Sequence, residues 1–351
     1  MSQVAIRRIE LGEVSLCFRH LVRGSRKAAV LIHGNLSSSL IWDHFIERIP
    51  AEFDVVAPDL RGFGESSKVP INATKGVADF SDDILKLLNF LSYDSYVLVG
   101  HSMGGGVAIQ VLIDAPSSVK IDRIVLVDPM SPYGFGGTKD EVGTPVYDDY
   151  AGSGAGLVLR YNPEFVKLLK ARYRGVDHPS APANVVRALF AEDFMIPEPV
   201  MDRLLTMLFS VEVSEDVYPG DYVESVNWPY VAPGTKGVLN AISPKYLKLR
   251  KALKVRNKPP ILWVHGAKDM IVSDMSPLDI AVLGAARYIP GYPGVEKFPP
   301  QPMLKQIQVF LEEYSEKGGT YVKKMMEGVG HTPFIEAPEE FAGILSKFLQ
   351  D

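Results

Sequence analysis

Cysteine is nearly absent from this chain, with Cys17 alone among 351 residues. No intramolecular disulfide can form, and a lone cysteine in an alternating segment reads as a small apolar residue packed in an amino-terminal hairpin. There is no apolar run long enough to span a bilayer, and Met1 to Glu10 carries paired arginines without the apolar stretch of a signal peptide. Runs of lysine and arginine are also missing, and the formal net charge is -5. Those two facts exclude the electrostatic footprint of a nucleic-acid or anionic-lipid binder. No internal repeat or low-complexity tract interrupts the sequence. Metal and nucleotide signatures are lacking too. There is no H-E-x-x-H, no paired cysteines and no P-loop spacing, and Gly104-Gly105-Gly106 opens a helix instead of forming a dinucleotide fingerprint. The expectation is a cytoplasmic protein without metal or organic cofactor and without nucleic-acid or membrane partner, its oligomeric state left open.

What is present is the composition of a folded protein, 46% hydrophobic and 23% charged. At this length one core is near its growth limit, so the chain holds either one large domain or a core with an insertion. Val4 to Leu11 and Val14 to Leu21 alternate around Gly12-Glu13 as a hairpin. Ala28 to Ile32, Phe53 to Ala57, Tyr96 to Val99, Ile124 to Val127 and Pro260 to Val264 are short apolar runs of the kind buried on both faces of a parallel sheet, and Tyr321 to Met326 gives a last strand. Between them a helical segment is expected around Ile41 to Ile49, a helix over Asp82 to Leu91 capped by Ser81, another over Val107 to Ile113, and a closing helix over Glu339 to Leu349. Strands alternating with helices imply a parallel sheet covered on both faces, with chemistry at its carboxyl edge. The stretch 131–249 breaks this rhythm. It opens glycine-rich from Tyr133 to Gly156, then shows helical starts at Asn162-Pro163 and apolar periodicity over Val200 to Leu208. It reads as a helical lid inserted into a core formed by 1–130 and 250–351, with a mobile entrance and with aromatics such as Phe190 and Trp228 as candidates for pocket or core.

Gly100-His101-Ser102-Met103-Gly104 stands directly between a strand and a helix. A strand that reverses into a helix within a few residues strains its turn residue and lifts the serine oxygen clear of the sheet, a nucleophile elbow. Serine is a poor nucleophile at its free pKa and needs a base and an orienting acid. Downstream the chain supplies Asp269 in Gly266-Ala267-Lys268-Asp269 and His331 in Gly330-His331-Thr332-Pro333, in the order Ser, Asp, His. Asp128 also ends a strand and is the alternative acid, while Asp274 reads as a helix cap. His33, His101 and His265 beside turns read as scaffold. So does the turn Asp59-Leu60-Arg61-Gly62-Phe63-Gly64, braced by its arginine.

With His33-Gly34-Asn35, the Ser102 pentapeptide, Asp269 and His331 in sequence, the chain resembles the serine-dependent α/β-hydrolases over essentially its whole core. Ser131 to Gly137 and Pro299-Pro300-Gln301-Pro302-Met303 resemble a subgroup of bacterial and archaeal hydrolases, which adds no activity. The family resemblance implies an eight-stranded, mostly parallel sheet with helices on both faces. It also implies a Ser102-His331-Asp269 triad, and an oxyanion hole from the N–H of Met103 and of Asn35 or Leu36. The implied activity is carboxylic-ester hydrolysis of a small to medium apolar substrate through an acyl-enzyme. Carbon-carbon bond hydrolysis, lactonase, perhydrolase and acyltransferase chemistry use the same triad, and a small-molecule receptor of the same fold is the non-enzyme alternative.

Overall fold

The computed structural model describes residues 3–350. Strands β1 (Ala5–Glu10) and β2 (Ser15–Leu21) form the expected hairpin, with Cys17 buried in it. They are followed by β3 (Lys27–Ile32), β4 (Asp54–Pro58), helix α1 (Ala78–Leu91), β5 (Ser95–His101), α2 (Met103–Asp114) and β6 (Ile121–Val127). After β6 come α3 (Gly156–Tyr161), α4 (Pro163–Lys170), α5 (Pro182–Arg187), α6 (Glu198–Leu208), the short strands β7 (Val213–Ser214), β8 (Tyr218–Pro219), β9 (Tyr222–Glu224) and β10 (Val231–Pro233), and α7 (Val238–Ala241). The chain closes with β11 (Ile261–Gly266), α8 (Ile280–Ala285), α9 (Met303–Glu316), β12 (Tyr321–Met326), α10 (Pro333–Glu336) and α11 (Pro338–Gln350).

Eight strands make one sheet in the order β1-β2-β4-β3-β5-β6-β11-β12, in which only β2 runs against the others. The inner strands β4, β5 and β11 are buried at every residue because helices cover both faces. The edges are polar instead, carrying Arg7 and Arg8 on β1 and Lys323 and Lys324 on β12, which discourages edge-to-edge pairing. From β3 the chain steps to β4 on one side and to β5 on the other, so the carboxyl ends of β3 and β5 flank a topological switch point. Crevices at such points are where open α/β sheets bind ligands. None of the helices among the described residues is long and apolar enough to cross a membrane.

Three local expectations fail for tertiary reasons. The stretch Ile41 to Ile49 is not a helix but two 3-10 turns, Ser39–Trp42 and Ile46–Arg48. Buried Trp42, Phe45, Ile46 and Ile49 create the helical spacing. The carbonyls of Glu47, Ile49, Pro50 and Phe53, however, accept from the Arg23 guanidinium in place of helix N–H groups. Helix α1 starts four residues earlier than a Ser81 cap implies; Ser81 lies inside it, its N–H bonded to the Val77 carbonyl. Its Asp83 instead holds Arg61 through two 2.6 Å bonds, which is the brace anticipated for the Asp59–Gly64 turn. Helices α8 and α9 fill a region that local patterns leave unassigned. The N-cap of α9 comes from Asp274, about thirty residues upstream, which accepts from Leu304 N–H at 2.8 Å and Lys305 N–H at 3.3 Å.

The start of the glycine-rich stretch after β6, Ser131 to Thr138, is largely buried and held down. Gln301 accepts from Gly136 N–H at 2.6 Å and donates to the Gly134 carbonyl at 2.9 Å. Gln306 accepts from Ser131 Oγ at 2.5 Å and donates to Thr138 Oγ1 at 2.9 Å and the Asp140 carbonyl at 2.7 Å. The two sequence signatures around 131–137 and 299–303 are thus halves of one buried contact. Trp228 belongs to a separate cluster with Ile280, Ile289 and Phe298.

Candidate active site

Ser102 sits between β5 and α2 with φ 55° and ψ -121°, a conformation that costs a non-glycine residue about 1–3 kcal/mol. The surroundings over-determine it. Its N–H donates to the Val127 carbonyl at 2.9 Å, and its carbonyl accepts from Gly105 N–H at 3.0 Å and Met130 N–H at 3.1 Å. Glycine is required at Gly104, where a Cβ would lie 2.3 Å from the Ile32 carbonyl oxygen. That close approach seats the start of α2 against β3.

The segment after β3 lies directly on this elbow. A Cβ on Gly34 would stand 2.9 Å from the Ser102 Cβ. His33 anchors the loop, its Nδ1–H donating to the Gly34 carbonyl at 2.8 Å while Nε2 accepts from Leu60 N–H at 3.0 Å. Burial pushes this ring down to about 4, so it is a neutral strut. Leu36 takes φ 52°, and Asn35 Oδ1 is buried without a protein partner. Met103 opens α2, where a helical N–H has no partner within the helix. The candidate donors Asn35 and Leu36 thus follow the glycine that packs on Ser102, and Met103 follows Ser102 itself.

His331, in the loop between β12 and α10, is 1% exposed and held from several directions. Its Nδ1–H donates to Asp269 Oδ2 at 2.7 Å, its backbone N–H donates to the Leu189 carbonyl at 2.8 Å, and its carbonyl accepts from His101 Nε2 at 2.8 Å. None of these bonds links His331 to the Ser102 hydroxyl, a contact that in uncomplexed enzymes is often long and tightens with substrate. The His101 and His331 rings lie 4.7 Å apart between centroids. Burial, then the neighbouring His331, drives His101 down to about 3, so it too is neutral scaffold. Glu336, which the sequence reading does not single out, accepts from Gly330 N–H at 3.1 Å and Ala191 N–H at 2.9 Å. It ties the histidine loop to the segment between α5 and α6. Its only sequence trace is a carboxylate four residues after Thr332.

Asp269 follows β11, and its Oδ1 accepts from Ile271 N–H at 2.7 Å and Val272 N–H at 3.1 Å. Burial pushes this carboxyl up, but the His331 ring and these donors outweigh it and hold it below the usual carboxylate range. His265 donates from Nε2 to the Val272 carbonyl at 3.0 Å and accepts from the Trp263 indole at 3.3 Å, bonds that tie it to the loop after β11. Asp128, the alternative acid, ends β6 fully buried and makes no bond to His331; its Oδ1 accepts from Gly266 N–H at 2.8 Å. Asp128, Asp269 and His331 lie within 4.8 Å of one another, a spacing a cation could use. The Asp269–His331 bond needs a proton on Nδ1 that a cation there would have to displace. A cleft of about 1090 Å³ beside Ser38–Leu40 is lined by Arg7, Arg8, Lys68, Arg172 and Arg174 but by none of these candidates.

The order of strands, the elbow and the position of each candidate after the carboxyl end of a parallel strand define an α/β-hydrolase. The sequence matches the Alpha/beta hydrolase family over residues 29–344, and the chain belongs to that family. It is 26% identical over 279 residues to the 2-(acetamidomethylene)succinate hydrolase of Mesorhizobium japonicum, covering 77% of this chain and 90% of that protein. It is also 39% identical over 106 residues to an uncharacterized protein of Mycobacterium tuberculosis, spanning only 30% of that relative's length. Among solved structures, a putative aryl esterase from Burkholderia cenocepacia superposes with a TM-score of 0.62 at 18% identity, over 99% of this chain and 98% of that one. A bromoperoxidase from Bacillus anthracis gives 0.63 at 18% identity over 99% and 100%. These likenesses are of fold.

Proposed function

We propose that the protein is a serine hydrolase that cleaves a carboxylic ester of a small to medium, apolar substrate through an acyl-enzyme. The observation that carries this reading is the 2.7 Å bond from His331 Nδ1 to Asp269 Oδ2, made in the loops beside a serine held at φ 55°. A proton fixed on Nδ1 leaves Nε2 as the basic nitrogen. In this reading Nε2 takes the Ser102 proton as Oγ attacks the acyl carbonyl, then returns it to the leaving alcohol; water repeats the cycle to release the acid. The N–H of Met103 and that of Asn35 or Leu36 receive the developing oxyanion, each such donor being worth about 3–4 kcal/mol in the barrier. Serine as nucleophile sets this chemistry apart from attack by a carboxylate.

The stretch 131–249 serves here as the lid over a 1–130 and 250–351 core. Its contacts support that role, because Leu189 and Ala191 hold the His331 loop and Met207 Sδ accepts from Ser37 Oγ at 3.2 Å beside the candidate oxyanion loop. The test is a panel of p-nitrophenyl esters with the wild-type protein and Ser102→Ala, alongside fluorophosphonate labelling mapped by mass spectrometry. Expected are turnover with a burst of nitrophenol, loss of roughly 10⁶-fold in kcat for the variant, and label on Ser102 alone. Label on another serine, or equal turnover by the variant, rejects the assignment. Tight binding without turnover supports a receptor, and turnover confined to lactones, carbon-carbon bonds or acyl transfer redirects the substrate class.

A further inference from the structure

Asp128 has no exposed surface and sits at φ 42° at the end of β6, its N–H bonded to the Val264 carbonyl at 2.9 Å. Its Oδ1 is satisfied by Gly266 N–H, but Oδ2 is buried and, as an acceptor, has no donor among the described residues. Its carboxyl lies within 4.8 Å of the Asp269 carboxylate and His331. In a dry interior two carboxylates that close do not both ionise. The donors decide which one keeps the charge. Asp269 receives two backbone N–H groups and the His331 ring, with His265 Nε2 a further 3.4 Å away; Asp128 receives one N–H.

We infer that Asp128 is a positioning residue of the site: a proton on its Oδ2 is donated to the carboxylate of Asp269, fixing the group that orients His331. The inference rests on the reading of Asp269 and His331 as an acid–base pair. It removes both difficulties at once, because the orphaned oxygen becomes a donor and the repulsion between the two carboxyls disappears. The other groups around the pair do not oppose it. From β11, His265 Nδ1 is 3.7 Å from Asp128 Oδ1, but that nitrogen accepts from Trp263 and the ring is kept neutral by burial. Glu336 on α10 adds negative charge, and Lys323 on β12 is occupied over the Trp263 ring at 4.4 Å, so among the described residues no cation pairs with Asp128. Burial first, then the charge of Asp269, hold the Asp128 carboxyl well above its ordinary range.

Asparagine reproduces both functions of a protonated Asp128, its carbonyl accepting from Gly266 and its amide donating to Asp269, whereas alanine reproduces neither. The experiment compares wild type, Asp128→Asn and Asp128→Ala on a p-nitrophenyl ester across pH. It adds an infrared difference spectrum of wild type against Asp128→Asn in H₂O and D₂O. Expected are kcat within a few-fold of wild type for Asn and a loss of about tenfold or more for Ala, the size of one hydrogen bond to a charged group. The acid limb of kcat/KM should move to higher pH in Ala alone, because an unsupported Asp269 charge holds the imidazolium more tightly. The infrared difference should lose a protonated-carboxyl band that shifts on deuteration. An Asn variant as impaired as Asp269→Asn, or no such band, overturns the inference. The infrared arm requires no turnover and no folded Ala variant, so it separates failure of this inference from failure of the hydrolase reading.

Discussion

The His101 ring donates from Nε2 to the carbonyl oxygen of His331 across 2.8 Å, so the residue immediately before the candidate nucleophile holds the candidate base 230 positions away. His101→Phe keeps the aromatic contacts with Trp42 and Phe334 but removes the donor. Steady-state kinetics should show kcat reduced about tenfold with a smaller change in KM, and urea unfolding a loss of about 1 kcal/mol. Unchanged kcat would show that the His331 loop holds its place without this brace.

Gly34 provides a probe of the elbow that leaves the sheet intact. Gly34→Ala puts a Cβ 2.9 Å from the Ser102 Cβ, and one of the two loops must shift by a few tenths of an ångström. Because reaction geometry is sensitive at that scale, kcat/KM should fall about tenfold while the melting temperature changes by only a few degrees. A variant with full activity would mean that this loop is freer than its packing indicates.

The glycine-rich stretch after β6 is a case in which composition and structure point in opposite directions. Local sequence alone predicts a mobile entrance, whereas Gln301 and Gln306 bind its backbone and Ser131 from inside the protein. Hydrogen exchange over Ser131 to Thr138 should be slow, and Gln306→Leu should speed it and cost about 1–3 kcal/mol, since it strands buried polar partners. Fast exchange in the wild-type protein would remove the claim.

Asp128 also makes a stability prediction with a definite sign. An unfolded carboxyl titrates near about 3.9, whereas burial holds this one well above that range. Folding therefore binds a proton at Asp128, and the wild-type protein loses stability as pH rises from the unfolded value toward the folded one. Asp128→Asn has no such loss, so its melting temperature relative to wild type should rise as pH increases above the unfolded value of about 4, each pKa unit being worth about 1.4 kcal/mol. Asp269 acts oppositely. Its stabilisation is present above the unfolded value and disappears as pH falls through its depressed folded value.

Several elements were legible because their signal is local. β12 has the bounds its pattern suggests, and β3, β4, β5, β11 and the Ile124–Val127 half of β6 carry apolar runs whose burial on both faces leaves no alternation to misread. Features stabilised by distant partners were not. Arg23 replaces helical bonds at Glu47 to Phe53, Asp274 caps a helix about thirty residues away, and Glu336 acts on a segment beginning at Ala191. No window of sequence contains both halves of such a contact.

By itself the sequence determined the hydrolase fold, the elbow around Ser102 and the sites of the candidate histidine and carboxylates. Strand burial, strand-to-helix reversal and glycine spacing are properties of adjacent residues. Only the tertiary structure decided which carboxylate meets His331, because Asp128 and Asp269 both follow core strands in a similar local setting. The His331 loop, 62 residues downstream, brings Nδ1 to 2.7 Å from Asp269 Oδ2 and makes no bond to Asp128, an encounter of strand ends that exists only once the sheet has formed.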